Sequence, residues 1–263
     1  MSMVQQVETS ATNRSPGGSL ALLVALMVVV GCGWFYNGAF HNQNARLDAI
    51  FSFGEPGHSE YLTFHLDRFL PDPQHGFNTV DWSQYDGHYY ANKAPGTLLA
   101  GALFYWPLAA LQRAGGVSVE TTPWPYINAW LINLWVSVLP WCLAAAAFWR
   151  LLAGQRLSSP QRALELTLYL TFATLIWPYS TQMWGHVTAA ACWVGVAVAL
   201  ARPSAPRWAW AGFWAGVAVL IEYLSALGVF VLGALALLEA WQVWRRGTGE
   251  QRPTLHQILH APV

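Results

Sequence analysis

The chain has 263 residues, of which 55% are hydrophobic, and its 13 basic residues balance its 13 acidic ones, so the formal net charge is zero. Only 10% of the residues are charged, whereas soluble domains average about 25%. This composition, with its long uncharged runs, predicts an integral membrane protein, and without a basic patch it predicts no nucleic-acid partner.

The chain begins with a polar segment, residues 1–19, and continues with an apolar run from Leu20 to Phe40. A cleaved signal peptide has a short basic start and a short apolar core. Here the polar lead is long, and the apolar run of about 20 residues is enough to cross a bilayer. We therefore predict a cytoplasmic tail over 1–19 and an uncleaved first transmembrane helix over 20–40.

A polar segment, His41–Pro95, carries most of the acidic residues and histidines, and it is too long to lack structure of its own. Its densest part is Asn78–Gly96, NTVDWSQYDGHYYANKAPG. Asp-Gly and Ala-Pro-Gly are turn signals, so we predict a folded loop rather than a helix. Aromatic rings between polar groups suit a surface that binds a ring-shaped ligand. The alternative is an interfacial loop in which Lys93 contacts lipid phosphate.

The rest of the chain is mainly apolar. Two of its apolar stretches have roughly 40 residues, about 60 Å as helix and twice the bilayer core, so each is predicted to be a helical hairpin. The hairpin tips fall near Tyr179–His186 and Glu222–Ser225. The predicted segments are an outer loop over 41–123 with a juxtamembrane helix over 97–112, transmembrane helix 2 over 124–149, hairpins over 163–201 and 207–244, and a cytoplasmic tail over 245–263.

The distribution of basic residues favours one topology. If residues 97–112 do not cross the bilayer, nine of the 13 basic residues are cytoplasmic, as the positive-inside rule requires. The predicted fold class is therefore all-α: a polytopic protein of the cytoplasmic (inner) membrane with about six transmembrane helices and both termini inside. The outer loop and both hairpin tips then face the periplasm or cell exterior.

This topology brings ionisable residues to one side of the membrane, where they are costly unless paired or used. A simpler interpretation makes His186 an interfacial histidine and Glu222 a turn residue in head-group water. The residues predicted to converge are Asp48, Asp67, Asp81, His88, Lys93, His186 and Glu222.

The stretches Gly87–Gly96 (GHYYANKAPG) and Trp177–His186 (WPYSTQMWGH), with a large outer loop and arginine-flanked hairpins, resemble the bacterial GT-C membrane glycosyltransferases of the family 39 type. These enzymes are related to protein mannosyltransferases and the aminoarabinose transferase of lipid A. The resemblance covers nearly the whole chain. It implies a sugar donor carried on polyprenyl phosphate, transferred to an unknown acceptor outside the cytoplasmic membrane.

In that family a lysine lies near the carrier phosphate, which implies this role for Lys93, and an acidic residue soon after the first span acts as a base. The base is predicted to be Asp48, with Asp67 and Asp81 as its competitors. The predicted substrate-binding residues are Arg46, Asp67, His88, Tyr89, Lys93, His186 and Glu222.

The chain departs from the family pattern in two places. The Asp-Glu pair of the family falls near Gln43–Asn44, and its Lys-Pro-Pro element is here Lys93-Ala94-Pro95. The sequence also ends early, with LHQILHAPV after Arg252, as expected of a fragment or a truncated product. A non-catalytic membrane module that binds a lipid-linked substrate or a partner protein is therefore the competing prediction.

A channel or transporter is disfavoured, because the polar groups lie at one face rather than at the bilayer midplane. The three cysteines lie in apolar runs without metal-ligand spacing. No metal and no cofactor are predicted.

Overall fold

Helices make up most of the computed structural model, which describes residues 16–38, 40–70, 77, 79–154, 159–202 and 207–246. The coarse prediction of an all-α fold is therefore confirmed. The helices are α1 (Pro16–Gly33), α2 (His41–Gly54), α3 (Gly96–Ala114), α4 (Trp124–Asn133), α5 (Leu139–Ala153), α6 (Pro160–Phe172), α7 (Ile176–Ser180), α8 (Gly185–Leu200), α9 (Arg207–Ile221) and α10 (Ser225–Arg246).

Two helical segments of the described chain are long and apolar enough to cross a membrane. The first is Trp124–Ala153, 30 residues, and the second is Ser225–Gln242, 18 residues. Half of the most apolar window of the first is buried in the protein, compared with 11% for the second. The segments Gly18–Gly33, Gly185–Leu200 and Arg207–Ile221 are apolar but shorter. Two of the six predicted spans therefore reach the required length, and six remains a prediction.

The first helix is shorter than predicted, because it ends at Gly33 and not at Phe40. The chain beyond it is extended, and the backbone N–H of Asn37 donates a hydrogen bond to the carbonyl of Thr181 at 2.8 Å. The indole N–H of Trp177 donates to the carbonyl of Gly31 at 3.0 Å. These contacts with the segment between α6 and α8 replace the next helical turn.

The long segment Trp124–Ala153 contains a π-helical turn, Leu134–Val138, between α4 and α5. Pro140 has no backbone N–H, so it cannot donate to the carbonyl of Val136 four residues earlier. The hydroxyl of Thr188 in α8 donates to that carbonyl instead, at 2.6 Å. This hydrogen bond ties α8 to the irregular turn, and π turns occur often near functional sites.

The apolar helices pack in a layer. Helix α5 lies against α1, α6 and α8, and α9 lies between α8 and α10. The hydrophobic cluster between α1, α5 and α8 contains the fully buried Val24, Val28, Trp141 and Val187. These contacts fix the positions of the chain turns that precede α8 and follow α9.

The outer segment forms a second unit built on α2, which is polar in sequence but buried along most of its length. Several of its buried polar side chains are hydrogen-bonded, which offsets the cost of burying them. Gln43 donates to the carbonyl of Asn37 and accepts from the backbone of Met183. Ser52 donates to the carbonyl of His65. This helix is therefore a polar scaffold that holds several loops.

Two short antiparallel strands are the only ones in the described ranges: β1 (Trp82–Tyr85) and β2 (His88–Ala91). Trp82 pairs with Ala91 and Tyr85 with His88. Asp86 and Gly87 connect them with φ of 48° and 82°, the left-handed conformations of a type I′ hairpin turn. The predicted folded loop is thus a β-hairpin that projects from α2 and leads into Lys93 and α3.

Candidate functional site

Four chain segments that are far apart in sequence surround a cavity of about 270 Å³, called the polar cavity below. They are the start of α2, the segment between β2 and α3, the start of α8, and the turn between α9 and α10. The outer loop and both predicted hairpin tips therefore contribute to one site. Its polar lining residues are Asn42, Arg46, Asn92, Lys93, His186 and Glu222.

Arg46 supplies a buried positive charge, since its side chain is only 2% exposed. Its Nε donates to the hydroxyl of Thr97 at 3.1 Å, and one terminal nitrogen donates to the side chain of Asn42. Burial lowers the pKa of the Arg46 guanidinium to about 10, although the charges of Glu222 and Asp81 oppose this. At neutral pH the group stays protonated, and no described carboxylate lies within ion-pair distance of it.

Lys93 supplies the second cation, and its ammonium lies 2.8 Å from a carboxylate oxygen of Asp81. Asp81 precedes β1 and Lys93 follows β2, so this ion pair closes the base of the hairpin. Both side chains are about a fifth to a quarter exposed. An incoming anion can reach Lys93 without passing through the protein core.

His186 and Glu222 form the opposite wall, with 3.1 Å between Nδ1 of the imidazole and a carboxylate oxygen. The aromatic rings of Tyr179 and Trp184 lie 5.1 and 5.6 Å from the imidazole. Because Nδ1 faces the carboxylate, the tautomer with its proton on Nδ1 leaves Nε2 as the proton acceptor. The pair thus has the arrangement of a base and its orienting group.

Gly185 allows this wall to form. A Cβ at position 185 would lie 2.7 Å from the carbonyl oxygen of Ile221 and 3.1 Å from a carboxylate oxygen of Glu222. A glycine at position 96 makes an equally close approach to the carbonyl of Leu220. These two glycines let the starts of α3 and α8 contact the end of α9, which places Glu222 at the cavity.

The start of α8 adds an electrostatic feature to the cavity. Trp184, Gly185 and His186 line it, so the N-terminus of a 16-residue helix faces the same space as the two cations. The unpaired N–H groups of a helix N-terminus favour a bound anion. The polar cavity therefore has three features that attract negative charge and one lining carboxylate, Glu222, whereas Asp81 contacts Lys93 from outside the lining.

An apolar groove of about 720 Å³ runs between α5, α8 and α9. Its lining includes Ile221, next to Glu222, and extends along α8 from Thr188 to Ala199, which is about 17 Å of helix. Its other lining residues include Leu143, Val198 and Trp214. A charged cavity at one end of a long apolar groove suits a ligand with a polar head and a hydrocarbon tail.

Asp48, the predicted base, lies elsewhere. Its side chain is fully buried, and one carboxyl oxygen accepts from the backbone N–H of Phe77 at 2.8 Å. Burial raises the pKa of this carboxyl well above its ordinary value, with a smaller increase from Glu55, against the lowering effects of Phe77 and Arg68. Asp48 does not line the polar cavity, so the structure does not bring it to the other predicted site residues.

Asp67 and His88 also lie outside the lining of the polar cavity. They form a second group with His65, which the sequence analysis did not select. Asp67 does not pair with its neighbour Arg68, which binds Glu55 instead. Tyr89 packs against the core of the outer unit and meets the ring of Trp82 edge-on at 4.7 Å.

The sequence analysis missed several cavity residues: Asn42, Asn92, Trp184 and Tyr223. Two of these, Asn92 and Tyr223, immediately precede or follow a selected residue, so the cavity lining includes chain neighbours of the ionisable groups. Asn42 could have been found from its spacing, because it lies one helical turn before Arg46. His65 could have been found because it lies two residues from Asp67, on the same side of an extended chain.

Neither protein family models, nor curated proteins, nor solved structures provide a match to this chain.

Proposed function

We propose that this protein is a membrane glycosyltransferase that moves a sugar from a polyprenyl-phosphate donor to an acceptor on the non-cytoplasmic side. The observation that carries the proposal is that two adjacent residues line the two spaces: Glu222 lines the polar cavity and Ile221 lines the apolar groove. A polyprenyl-phosphate sugar has its phosphate where a long hydrocarbon chain meets a polar head. The cavity offers Arg46 and Lys93 at the corresponding position.

The proposal includes a six-span arrangement with both termini in the cytoplasm. Its support is the exposed apolar surface of α10, where side chains such as Leu227, Phe230 and Leu237 are more than 70% exposed. Apolar surface of this extent requires lipid or a partner. In this arrangement α3 lies on the outer leaflet.

In the proposed reaction, an acceptor hydroxyl attacks the anomeric carbon of the donor sugar. The bond between that carbon and the phosphate oxygen breaks, and polyprenyl phosphate leaves with one additional negative charge. Lys93 and Arg46 stabilise this charge more strongly in the transition state than in the ground state. The acceptor proton passes to the imidazole of His186, whose ring is oriented by Glu222.

This assignment moves the base from Asp48 to His186, because a general base must reach the reacting hydroxyl directly or through one water. Asp81 remains the competing base, since it contacts Lys93. A non-catalytic binding module is the second candidate function. Gln43, at the position where the resembled family has an acid, is fully buried and used in backbone contacts.

The test measures donor binding and sugar transfer with purified protein and a panel of polyprenyl-phosphate sugars and acceptors. We expect Lys93→Ala to weaken donor binding by about 10- to 150-fold, equivalent to about 1.5–3 kcal/mol for a hydrogen bond to a charged group. Lys93→Arg should retain part of the binding, because its charge remains while its shape changes. Asp81→Asn is the control for loss of the ion pair.

Transfer separates the candidate functions. We expect Glu222→Gln and His186→Gln to lower the transfer rate by about 10²–10⁴ while leaving donor binding nearly unchanged. Asp48→Asn should retain activity. A large loss in Asp81→Asn alone would make Asp81 the base. Donor binding without transfer by the wild type would favour the binding module, and equal binding by wild type and Lys93→Ala would refute both.

A further inference from the structure

The histidine cluster, defined as His65, Asp67 and His88, lies where the segment after α2 meets the β-hairpin. One nitrogen of each histidine and one oxygen of Asp67 all lie within 4.8 Å of one another. Nδ1 of His88 is 2.6 Å from Oδ2 of Asp67, and Nδ1 of His65 is 3.8 Å from the same oxygen. We propose that this cluster is a binding site for a divalent transition metal, with Zn²⁺ as the preferred ion.

The distances suit that ion. With bonds of about 2.0–2.1 Å, ligand atoms around tetrahedral Zn²⁺ lie about 3.3 Å apart. The two measured separations fall on either side of that value, and binding one ion would require the stacked rings of His65 and His88, whose centroids are 4.1 Å apart, to rotate. Two imidazoles and one carboxylate are a ligand set that Zn²⁺ accepts, with water in the fourth position.

The atoms that point away from the cluster have partners of their own. Nε2 of His65 lies 3.0 Å from the hydroxyl of Tyr90, which directs Nδ1 towards Asp67. Oδ1 of Asp67 accepts from the backbone N–H of Tyr89 at 2.8 Å, which leaves Oδ2 for the ion. Outer partners of this kind orient metal ligands. The side chain of His88 is 46% exposed, so the ion can enter from solvent.

The neighbouring group of Glu55, His58 and Glu120 has similar spacing but is a weaker candidate. Glu55 is buried and already binds Arg68 and the hydroxyl of Tyr105. A metal there would have to displace a buried ion pair, whereas the histidine cluster needs to release only the proton shared by His88 and Asp67. That proton goes to solvent when the ion binds.

The expected effect of the ion is structural. It would join residues 65–67 to the start of β2, while the ion pair of Asp81 and Lys93 closes the other end of the hairpin. The sequence indicated no metal, because the cysteines lack metal-ligand spacing. This site combines His-x-Asp in one segment with a histidine 21 residues later, and only the pairing of that segment with β2 brings them together.

The test uses the full chain, purified in detergent with a tag free of histidine and stripped with a chelator. Zn²⁺ is titrated by calorimetry, and Co²⁺ is added separately to read its visible absorption bands. We expect one zinc equivalent that is lost, or weakened at least 100-fold, in both His88→Ala and Asp67→Asn. Tyr90→Phe, which removes only an outer partner, should weaken zinc binding by about 10–100-fold.

His58→Ala is the matched control and should bind zinc within a factor of two of wild type. Melting curves in chelator check that each variant is folded without metal. The proposal is overturned if wild type takes up no zinc, if His88→Ala binds it as wild type does, or if only His58→Ala loses it. The result does not depend on glycosyl transfer, so either proposal can fail alone.

Discussion

Single residues of this protein differ in whether burial or pairing sets their charge. Arg46 stays charged although buried, because Glu222 and Asp81 partly offset the cost of its burial. Asp48, with a backbone donor on one oxygen only, is driven towards its neutral form. Helix α2 therefore carries a cation that lines the polar cavity and a carboxyl that is buried in the core.

This difference predicts a pH dependence of stability. The pKa of Asp48 is raised in the folded state, so its stabilising contribution is fully present below the unfolded pKa of about 3.9 and is lost as pH rises through the folded pKa. Between the two pKa values the loss is about 1.4 kcal/mol per pH unit. Asp48→Asn, which mimics the neutral form, should flatten this dependence. The measurement is the detergent melting temperature from pH 5 to pH 8.

The comparison for that measurement is Glu165→Gln, which changes a carboxyl on α6 outside the outer unit. Its pH profile should follow wild type. If the profiles of wild type and Asp48→Asn coincide over the whole range, then the buried carboxyl titrates normally and its assigned neutral state is wrong.

At the residue scale, sequence alone predicted those site residues whose position follows from topology. Lys93, His186 and Glu222 lie at one cavity because an outer loop and two hairpin tips must meet on one side of the apolar layer. Asp48 could not be excluded in this way, because its depth in the core depends on how α2 packs. His65 was missed because its contacts with His88 and Tyr90 form only when the segment that contains His65 pairs with β2.

At the scale of elements, the apolar runs predict where the helices lie. The residues at which the helices end depend on tertiary contacts, which the runs do not indicate. Helix α1 ends early because the indole of Trp177 binds the carbonyl of Gly31 and the carbonyl of Thr181 binds the backbone N–H of Asn37. The hairpin carried a signal, Asp86-Gly87, that is typical of a type I′ turn. It was assigned only as a folded loop because the flanking residues, WSQY and HYYA, do not alternate between apolar and polar.

The contact between α8 and α9 yields a prediction about packing. Gly185→Ala puts a methyl group 2.7 Å from a backbone oxygen that cannot move alone, so we expect a loss of about 1–3 kcal/mol, typical of overpacking. Gly212→Ala, in an open part of α9, should be neutral or stabilising by up to about 1 kcal/mol. Thermal melting of both variants provides the comparison. Equal melting temperatures would mean that the helices separate without cost.

At the scale of the whole molecule, the polar cavity and the exposed surface of α10 make a prediction about membrane orientation. Single cysteines replace Ser83 in the hairpin and Gly154 after α5, in a chain without Cys32, Cys142 and Cys192. An impermeant thiol reagent should label position 83 in intact cells and position 154 only after lysis. Labelling of position 154 from outside would place α3 across the bilayer and separate the outer loop from the hairpin tips.

The separation in sequence of the four segments around the polar cavity also determines when, during synthesis, the outer segment can complete its contacts. Arg46 is translated early, whereas Glu222, whose charge helps to keep it protonated, leaves the ribosome about 176 residues later. For the first part of that interval α2 also lacks the backbone of Met183, which binds Gln43 in the finished fold. We therefore expect the outer segment to remain incompletely hydrogen-bonded until these later residues are made, and ribosome-bound chains arrested before residue 222 should leave this segment sensitive to protease.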